Sequence, residues 1–228
     1  MVRELVTFSV VALLIFWSAE STLSAELSHG DRILATAQKM ISVIESVEDF
    51  ICEAEVIYYR DGEEDKRYRI TFYYKQMGKI RVKFSWPYPG VTVFYKAGND
   101  KLTIKPFKFL PVVKFHFSID NPMVRTPSGQ RIYQTDVQYF INFLFRNVKS
   151  IQEKENAFYE GGKQIKFMFH ALDYIEDKSP EKYLVFVSKK HWFPTRIERY
   201  NSEGKPIEIM IFKNHIINPH LDDTFFRP

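Results

Sequence analysis

The first periodic segment of the chain has apolar residues at helical spacing. Between residues 31 and 47 they recur every three or four positions, with charged and amide side chains elsewhere on the helical wheel. Ser28 or Asp31 can cap the first turn, because a short polar side chain in that place accepts a backbone hydrogen bond. The pattern predicts an amphipathic helix over 31–47.

Beyond this helix the period of the pattern changes to two, which is typical of strands with one buried face. Tyr68, Ile70, Phe72 and Tyr74, for example, alternate with polar or basic neighbours, and a charged turn over 61–66 precedes them. Turn residues separate such runs at intervals of about ten residues, which indicates an antiparallel meander. The predicted strands are 53–60, 68–75, 80–84, 91–95, 102–105, 156–160, 164–172, 183–188, 195–200 and 206–213.

Two segments, 105–118 and 121–129, lack the alternation of apolar and polar residues, but neither has the composition of a linker between domains. Pro106 and Pro111 interrupt the aromatic stretch 105–118, which predicts loops or edge pieces because proline is barred from a central strand. Residues 121–129 read as a polar loop. Since no linker or internal repeat is visible, we predict a single, mainly β domain over 26–228, with about ten strands and two or three helices.

A second helix is predicted over 137–145, with Thr135 or Asp136 as its N-cap. Tyr139 and Phe143 lie off its main apolar stripe, so a helix that only packed on a sheet would leave them facing water. Such a helix is either deeply buried or covers an apolar ligand, and we predict that it moves relative to the sheet when that ligand enters.

The aromatic content of 16% favours a β-sheet. The runs 91–95 and 207–212 are apolar on both faces, whereas a sheet covered on one side only would be polar on the other. Two interpretations remain open. Either the core is thick, or the sheet curves around an apolar cavity of which the second helix forms a wall or lid.

Residues 1–25 have the pattern of a secretory signal. Arg3 precedes an apolar run over 6–17, and small residues lead up to Ala25. The run is shorter than the roughly 20 residues of a membrane-spanning helix. We predict export and cleavage after Ala25, with a retained anchor as the alternative.

Candidate chemistry is sparse. The net charge of +4 permits anionic lipid headgroups as partners but does not single out nucleic acid. No phosphate-binding loop, dinucleotide fingerprint or nucleophile elbow occurs. His215, His220, Asp222 and Asp223 form the only metal-like group, and it lacks the spacing of a zinc-protease motif. Cys52 is the only cysteine, so no internal disulfide can form, and we expect this residue to be buried. We expect no enzymatic activity, no metal, no cofactor and no nucleic-acid partner.

Several short stretches are similar to the outer-membrane lipoprotein carriers of the LolA type and their relatives LolB and RseB. The similarity is spread over most of 31–226. Gln76 and Met77 stand where the LolA carriers have an arginine followed by a proline. The stretches are 69–74, 79–84, 98–104, 190–197, 212–218 and 221–226.

The resemblance implies an unclosed β-barrel of about eleven antiparallel strands, with helices plugging the concave side. It also implies a monomeric periplasmic carrier that binds the acyl chains of a lipoprotein or lipid in the hollow. Such a carrier takes its cargo from an inner-membrane donor protein and passes it to an outer-membrane acceptor protein. The alternative is a lipid-sensing or partner-binding periplasmic domain without transport, as in RseB.

The alternation of the strands places one set of side chains on a common face, although the pattern alone leaves open which face is concave. We predict that this set lines the cavity and faces the second helix. The predicted lining residues are Ile70, Phe72, Ile80, Val82, Phe84, Val93, Leu102 and Ile104 on strands, and Phe140, Ile141 and Leu144 on the helix.

Overall fold

The computed structural model describes residues 27–107, 109–110, 112–147, 157–173, 175–176 and 178–228. The predicted signal segment 1–25 therefore lies outside the described residues. Within them, eleven strands form one antiparallel sheet. The strands are β1 (Asp49–Arg60), β2 (Glu63–Lys75), β3 (Lys79–Trp86), β4 (Thr92–Lys96), β5 (Lys101–Lys105), β6 (Phe115–Ser118), β7 (Ala157–Gly161), β8 (Gln164–Leu172), β9 (Pro180–Ser188), β10 (Pro194–Tyr200) and β11 (Pro206–Ile217).

The sheet is open, with β6 and β7 as its two edges. Its order is β6-β5-β4-β3-β2-β1-β11-β10-β9-β8-β7, so two meanders meet where β11 returns to pair with β1. The mainly β fold with an unclosed sheet is thereby confirmed. The eleventh strand is β6, which lies in the proline-interrupted stretch and is an edge strand, as proline chemistry favours.

The first hairpin turn is tighter than the sequence pattern predicts. β2 already begins at Glu63, so the charged residues 63–66 belong to the strand and only Asp61 and Gly62 form the turn. Both have positive φ angles, 55° and 89°. Two left-handed residues match the right-handed twist of the flanking strands, which is why an Asp-Gly pair closes this hairpin.

Among the described residues, two α-helices accompany the sheet: α1 (His29–Glu45) and α2 (Val137–Arg146). α1 starts two residues before the predicted position, because the Ser28 hydroxyl accepts a hydrogen bond from the Asp31 N–H at 3.1 Å and so acts as the cap. α1 packs against α2 and β7. Within the described part of the chain, no helix is long and apolar enough to cross a membrane. Short 3₁₀ turns occur at Pro122–Val124, Ile132–Thr135 and Asp223–Phe226.

The register of the strands shows which face of the sheet is concave. Ala54 of β1 lies opposite Ile70 of β2 and Phe212 of β11, and Cys52 lies opposite Phe72. The apolar face of α1 packs in the same buried core as Cys52 and Phe72. The face that carries Ile70 and Phe72 is therefore the one that the helices cover.

The opposite, convex face is partly covered by the C-terminal segment, which explains why some strands are apolar on both sides. The Arg81 guanidinium lies 4.1 Å from the ring centre of Phe225 and 5.3 Å from that of Phe94. Phe94 is buried, although it points away from the concave face. The Asp223 carboxylate fastens this segment to Lys79 at 2.6 Å. The apolar side chains of β4 therefore pack on both faces of the sheet: those on one face line the concave side, and Phe94 on the other contacts Arg81 beneath the C-terminal segment.

Candidate binding cavity

A cavity of about 650 Å³ lies between the concave face of the sheet and residues 122–136. Its floor is formed by β1 to β5 and by β10 and β11. Most of the side chains along it are aliphatic or aromatic. Of the predicted lining residues, those in the wall are Ile70, Phe72, Val82, Phe84, Val93, Leu102, Ile104 and Phe140.

Two of the predicted lining residues lie outside the wall, and the prediction for a third is untested. Ile80 is buried in the core and is not part of the cavity wall, because Tyr74 and Tyr95 flank it at the end of β3 where the core closes. Leu144 is likewise fully buried in the core rather than in the wall. Ile141 belongs to α2, but its side chain lies outside what the structure describes.

The α2 helix is enclosed more completely than its sequence pattern suggests. Phe143 is fully buried, with its ring centre 5.0 Å from that of Tyr183 and 6.1 Å from that of Phe169. Phe143 is therefore shielded from water by the sheet, which reaches around the helix through β8 and β9, and this agrees with the alternative of a deeply buried helix. Tyr139 is half-buried beside Tyr133. Movement of α2 upon ligand entry stays a prediction.

The segment 122–136 forms the wall opposite the sheet, although its sequence reads as a polar loop and a cap. Two buried amides hold it in place. Gln130 donates through Nε2 to the Gln134 carbonyl at 2.8 Å, and Gln134 donates to the Ile175 carbonyl at 3.2 Å. The only sequence signal for this wall was the apolar run Pro122–Val124 inside the polar loop.

The second half of the sheet adds wall residues that sequence reasoning did not assign. They come from β10 and β11 and from the turn before β10, and they face the residues of β2 to β5 across the cavity. Their apolar character alone could not reveal that β11 pairs with β1 and completes the floor. These residues are Phe193, Ile197, Met210 and Phe212.

Two titratable side chains of the wall, Cys52 and His215, are neutral at pH 7. Burial raises the pKa of the Cys52 thiol to about 12. Burial and the nearby Asp136 raise the pKa of Tyr74, a core neighbour of the wall, to about 12. Burial, aided by His191 with its ring centre 4.5 Å away, lowers the pKa of His215 to about 4. An apolar ligand would therefore meet no charge at Cys52 or His215.

The metal-like group of the sequence does not converge into a site. Asp223 pairs with lysines, the Asp222 carboxylate accepts a hydrogen bond from the Thr224 N–H, and the His220 N–H donates to Asp49. Across the described ranges, no group of three or more histidine, cysteine or acidic residues could hold a metal ion.

One end of the cavity is polar. Arg199 donates through Nε and Nη2 to the Glu181 carboxylate at 3.0 and 2.9 Å, and through Nη1 to Glu208 Oε2 at 2.6 Å. All three side chains are nearly inaccessible, with exposed fractions of 2%, 6% and 0% for Arg199, Glu181 and Glu208. Glu208 belongs to the cavity wall and lies opposite Tyr58 of β1. The cavity thus combines an apolar body with a buried ionic end.

The loop that supports Gln134 is organised by Asp173. Its carboxylate accepts hydrogen bonds from the N–H groups of Ile175, Glu176, Lys178 and Ser179 at 2.7 to 3.1 Å. Burial alone would raise the pKa of Asp173, but these four backbone donors outweigh it and hold the pKa below its usual value.

Replacing Asp173 by asparagine should lower the free energy of unfolding by about 1–3 kcal/mol at pH 7, because an amide cannot accept all four bonds. A carboxyl with a lowered folded-state pKa stabilises the fold above its unfolded-state pKa, and this contribution disappears as the pH falls through the folded-state value. Urea titrations of both proteins should therefore converge at acidic pH. A constant difference at every pH would contradict this role of the carboxylate.

No family model matches the chain, and no curated protein matches it. Solved structures do. The lipoprotein LppX of Mycobacterium tuberculosis is 10% identical with a TM-score of 0.48, over 84% of this chain and 98% of that one. A LolA superfamily protein from Nitrosomonas europaea is 13% identical with a TM-score of 0.37, over 84% and 97%. MucB in the MucA/MucB complex of Pseudomonas aeruginosa is 8% identical with a TM-score of 0.45, over 84% and 60%.

At these identities the likeness concerns the fold alone.

Proposed function

We propose that this protein is an exported carrier that binds the acyl chains of a lipid or lipoprotein in its cavity and performs no chemical step. The observation that supports the proposal most is the cavity itself. Its volume of about 650 Å³ lies within the range of about 300–1,000 Å³ for ligand pockets. Its wall is mainly apolar, and the Cys52 and His215 side chains in it are neutral at pH 7.

The energetics of such binding are those of apolar transfer. Burial of a methylene group contributes about 0.8 kcal/mol, so a chain of about 16 carbons supplies on the order of 10 kcal/mol before the entropic costs of binding. Release on a useful timescale then requires an acceptor that offers the chain a comparable apolar environment. A membrane or a second carrier protein meets this requirement.

The signal pattern of 1–25 places the proposed site of action in the periplasm, after cleavage behind Ala25. There the protein would act as a monomer between an inner-membrane donor and an outer-membrane acceptor. A lipid sensor would bind the same ligand but would not pass it from a donor to an acceptor.

A vesicle transfer assay tests carriage. Donor vesicles contain a pyrene-labelled phospholipid, acceptor vesicles do not, and loss of excimer fluorescence reports transfer by the full chain after its purification from the periplasm. We expect the transfer rate to rise in proportion to the protein concentration. Ala54 is buried on the cavity floor, so Ala54→Trp should reduce the rate, whereas the control Glu53→Trp on the exposed side of β1 should not.

Two results would contradict the proposal in different ways. Lipid binding without any transfer would favour a sensing domain. Equal transfer rates for the two tryptophan variants would mean that lipid transfer does not use the cavity.

A further inference from the structure

The ionic end of the cavity contains a carboxylate oxygen that has no partner among the described residues. Glu208 Oε2 accepts a hydrogen bond from Arg199, but Oε1 is buried and accepts none from the residues that the structure describes. A buried polar atom without a partner costs free energy, and the cost is larger when the group is charged. Glu208 is part of the cavity wall, but its side chain is 0% exposed, so an occupant of the cavity supplies the missing donor only when Glu208 or its neighbours shift.

The charges at this end do not balance. Arg199 is the only cation that the structure places within ion-pair distance of Glu181 and Glu208, so two carboxylates share one guanidinium among the described residues. Each of the three guanidinium nitrogens of Arg199, Nε, Nη1 and Nη2, already donates a hydrogen bond to Glu181 or Glu208. With both carboxylates ionised, one negative charge remains, and a cationic donor neutralises it more completely than a hydroxyl group does.

A second charge lies close by with the opposite sign. Tyr58 of β1 has Glu208 of β11 on one side and Lys66 of β2 on the other. Lys66 is exposed and also lines the cavity. The two residues are separated by two strand spacings, about 10 Å, and the flexible lysine side chain can reach toward the space between them. An acceptor and a cation therefore flank the same tyrosine.

We propose that the preferred ligand is an amphiphile whose headgroup carries a primary amine next to a phosphate, as phosphoethanolamine does. The ligand ammonium donates a hydrogen bond to Glu208 Oε1, while the Lys66 ammonium pairs with the phosphate. The acyl chain then extends along the apolar wall past Ile70 and Val93. This inference rests on the proposed lipid-binding function and adds the chemistry of the headgroup.

Two lysophospholipids with the same acyl chain test the inference. Lysophosphatidylethanolamine and lysophosphatidylcholine have the same net charge, but the quaternary ammonium of the second has no N–H donor. Calorimetric titration of the full chain, below the critical micelle concentration, should show about tenfold tighter binding of the ethanolamine lipid. This factor is typical of one hydrogen bond to a charged group.

Glu208→Gln should remove this preference and bring the two affinities to within about twofold. Arg199 Nη1 needs an acceptor, so the amide oxygen turns toward Arg199 and the amide N–H₂ replaces Oε1, where it opposes an ammonium. Glu198→Gln is the matched control, because Glu198 is also buried but lies outside the cavity wall. That variant should keep the tenfold preference.

The outcomes separate this inference from the function on which it rests. Equal binding of both lipids by the unaltered protein would overturn the amine preference and leave acyl-chain binding intact. Binding of neither lipid would overturn the proposed function. A preference that survives in Glu208→Gln would overturn the role of Glu208, and the comparison on the unaltered protein decides the headgroup preference even if that variant does not fold.

Discussion

Replacing Ile70 by glutamate should weaken acyl-chain binding by on the order of 100-fold or more. Ile70 is half-buried in the cavity wall, between Ala54 of β1 and Phe84 of β3. An acyl chain that covers an ionised carboxylate removes it from water without offering a hydrogen bond, which costs several kcal/mol. Titration with a fluorescent fatty acid measures the effect.

The matched control is Thr71→Glu. Thr71 is the next residue of β2, is also half-buried, and points to the opposite face of the sheet. The Thr71→Glu variant should bind the fatty acid with the same affinity as the unaltered protein. Urea unfolding of both variants checks that any loss of binding does not come from unfolding. A loss that is equal in the two variants would contradict the assignment of the concave face.

Replacing Arg199 by methionine should lower the free energy of unfolding by about 3–5 kcal/mol. The substitution leaves the carboxylates of Glu181 and Glu208 buried without their cation, and removal of one partner from a buried ion pair typically costs this much. Equilibrium urea unfolding, followed by circular dichroism, gives the value directly.

Arg60→Met provides the comparison, because the ion pair of Arg60 with Asp65 is at the surface, where 72% of the Arg60 side chain is exposed. Exposed pairs contribute about 0–1 kcal/mol, so this variant should unfold almost as the unaltered protein does. Similar small losses for both arginines would mean that the buried carboxylates do not depend on Arg199.

The alternation of apolar and polar residues was sufficient to predict most strands and one face of the sheet. Ile70, Phe72, Val82, Phe84, Val93, Leu102 and Ile104 share that face because side chains repeat with a period of two, whatever the tertiary fold. The pattern could not show where the cavity ends along each strand. Ile80 has the same period as Val82, and only its position next to Tyr74 and Tyr95 places it in the core.

Long-range pairing accounts for most of what the sequence did not show. Met210 and Phe212 enter the wall because β11 pairs with β1 across more than 140 intervening residues, which no local pattern encodes. Phe143 is buried because β8 and β9 curve around α2. The cover that Phe225 forms on the convex face depends on contacts with Tyr73 and Arg81, far away in the chain.

Gln76 and Met77 show how the chain differs from the LolA carriers it resembles. Gln76 donates through Nε2 to the Val47 carbonyl at 3.2 Å, just after the end of α1, and Met77 is largely exposed in the turn between β2 and β3. Neither residue belongs to the cavity wall. The position that holds an arginine in those carriers therefore joins α1 to the sheet in this protein.

Photo-crosslinking with a fatty acid that carries a diazirine in the middle of its chain tests the central claim most directly. After irradiation of the full chain, mass spectrometry of peptides identifies the labelled residues. We expect labels at concave positions of β2, β3, β5 and β11, such as Ile70, Phe84, Ile104 and Met210, and their loss on addition of excess unlabelled fatty acid. Labels confined to exposed or convex positions, such as Phe109 or Ile211, would contradict the central claim.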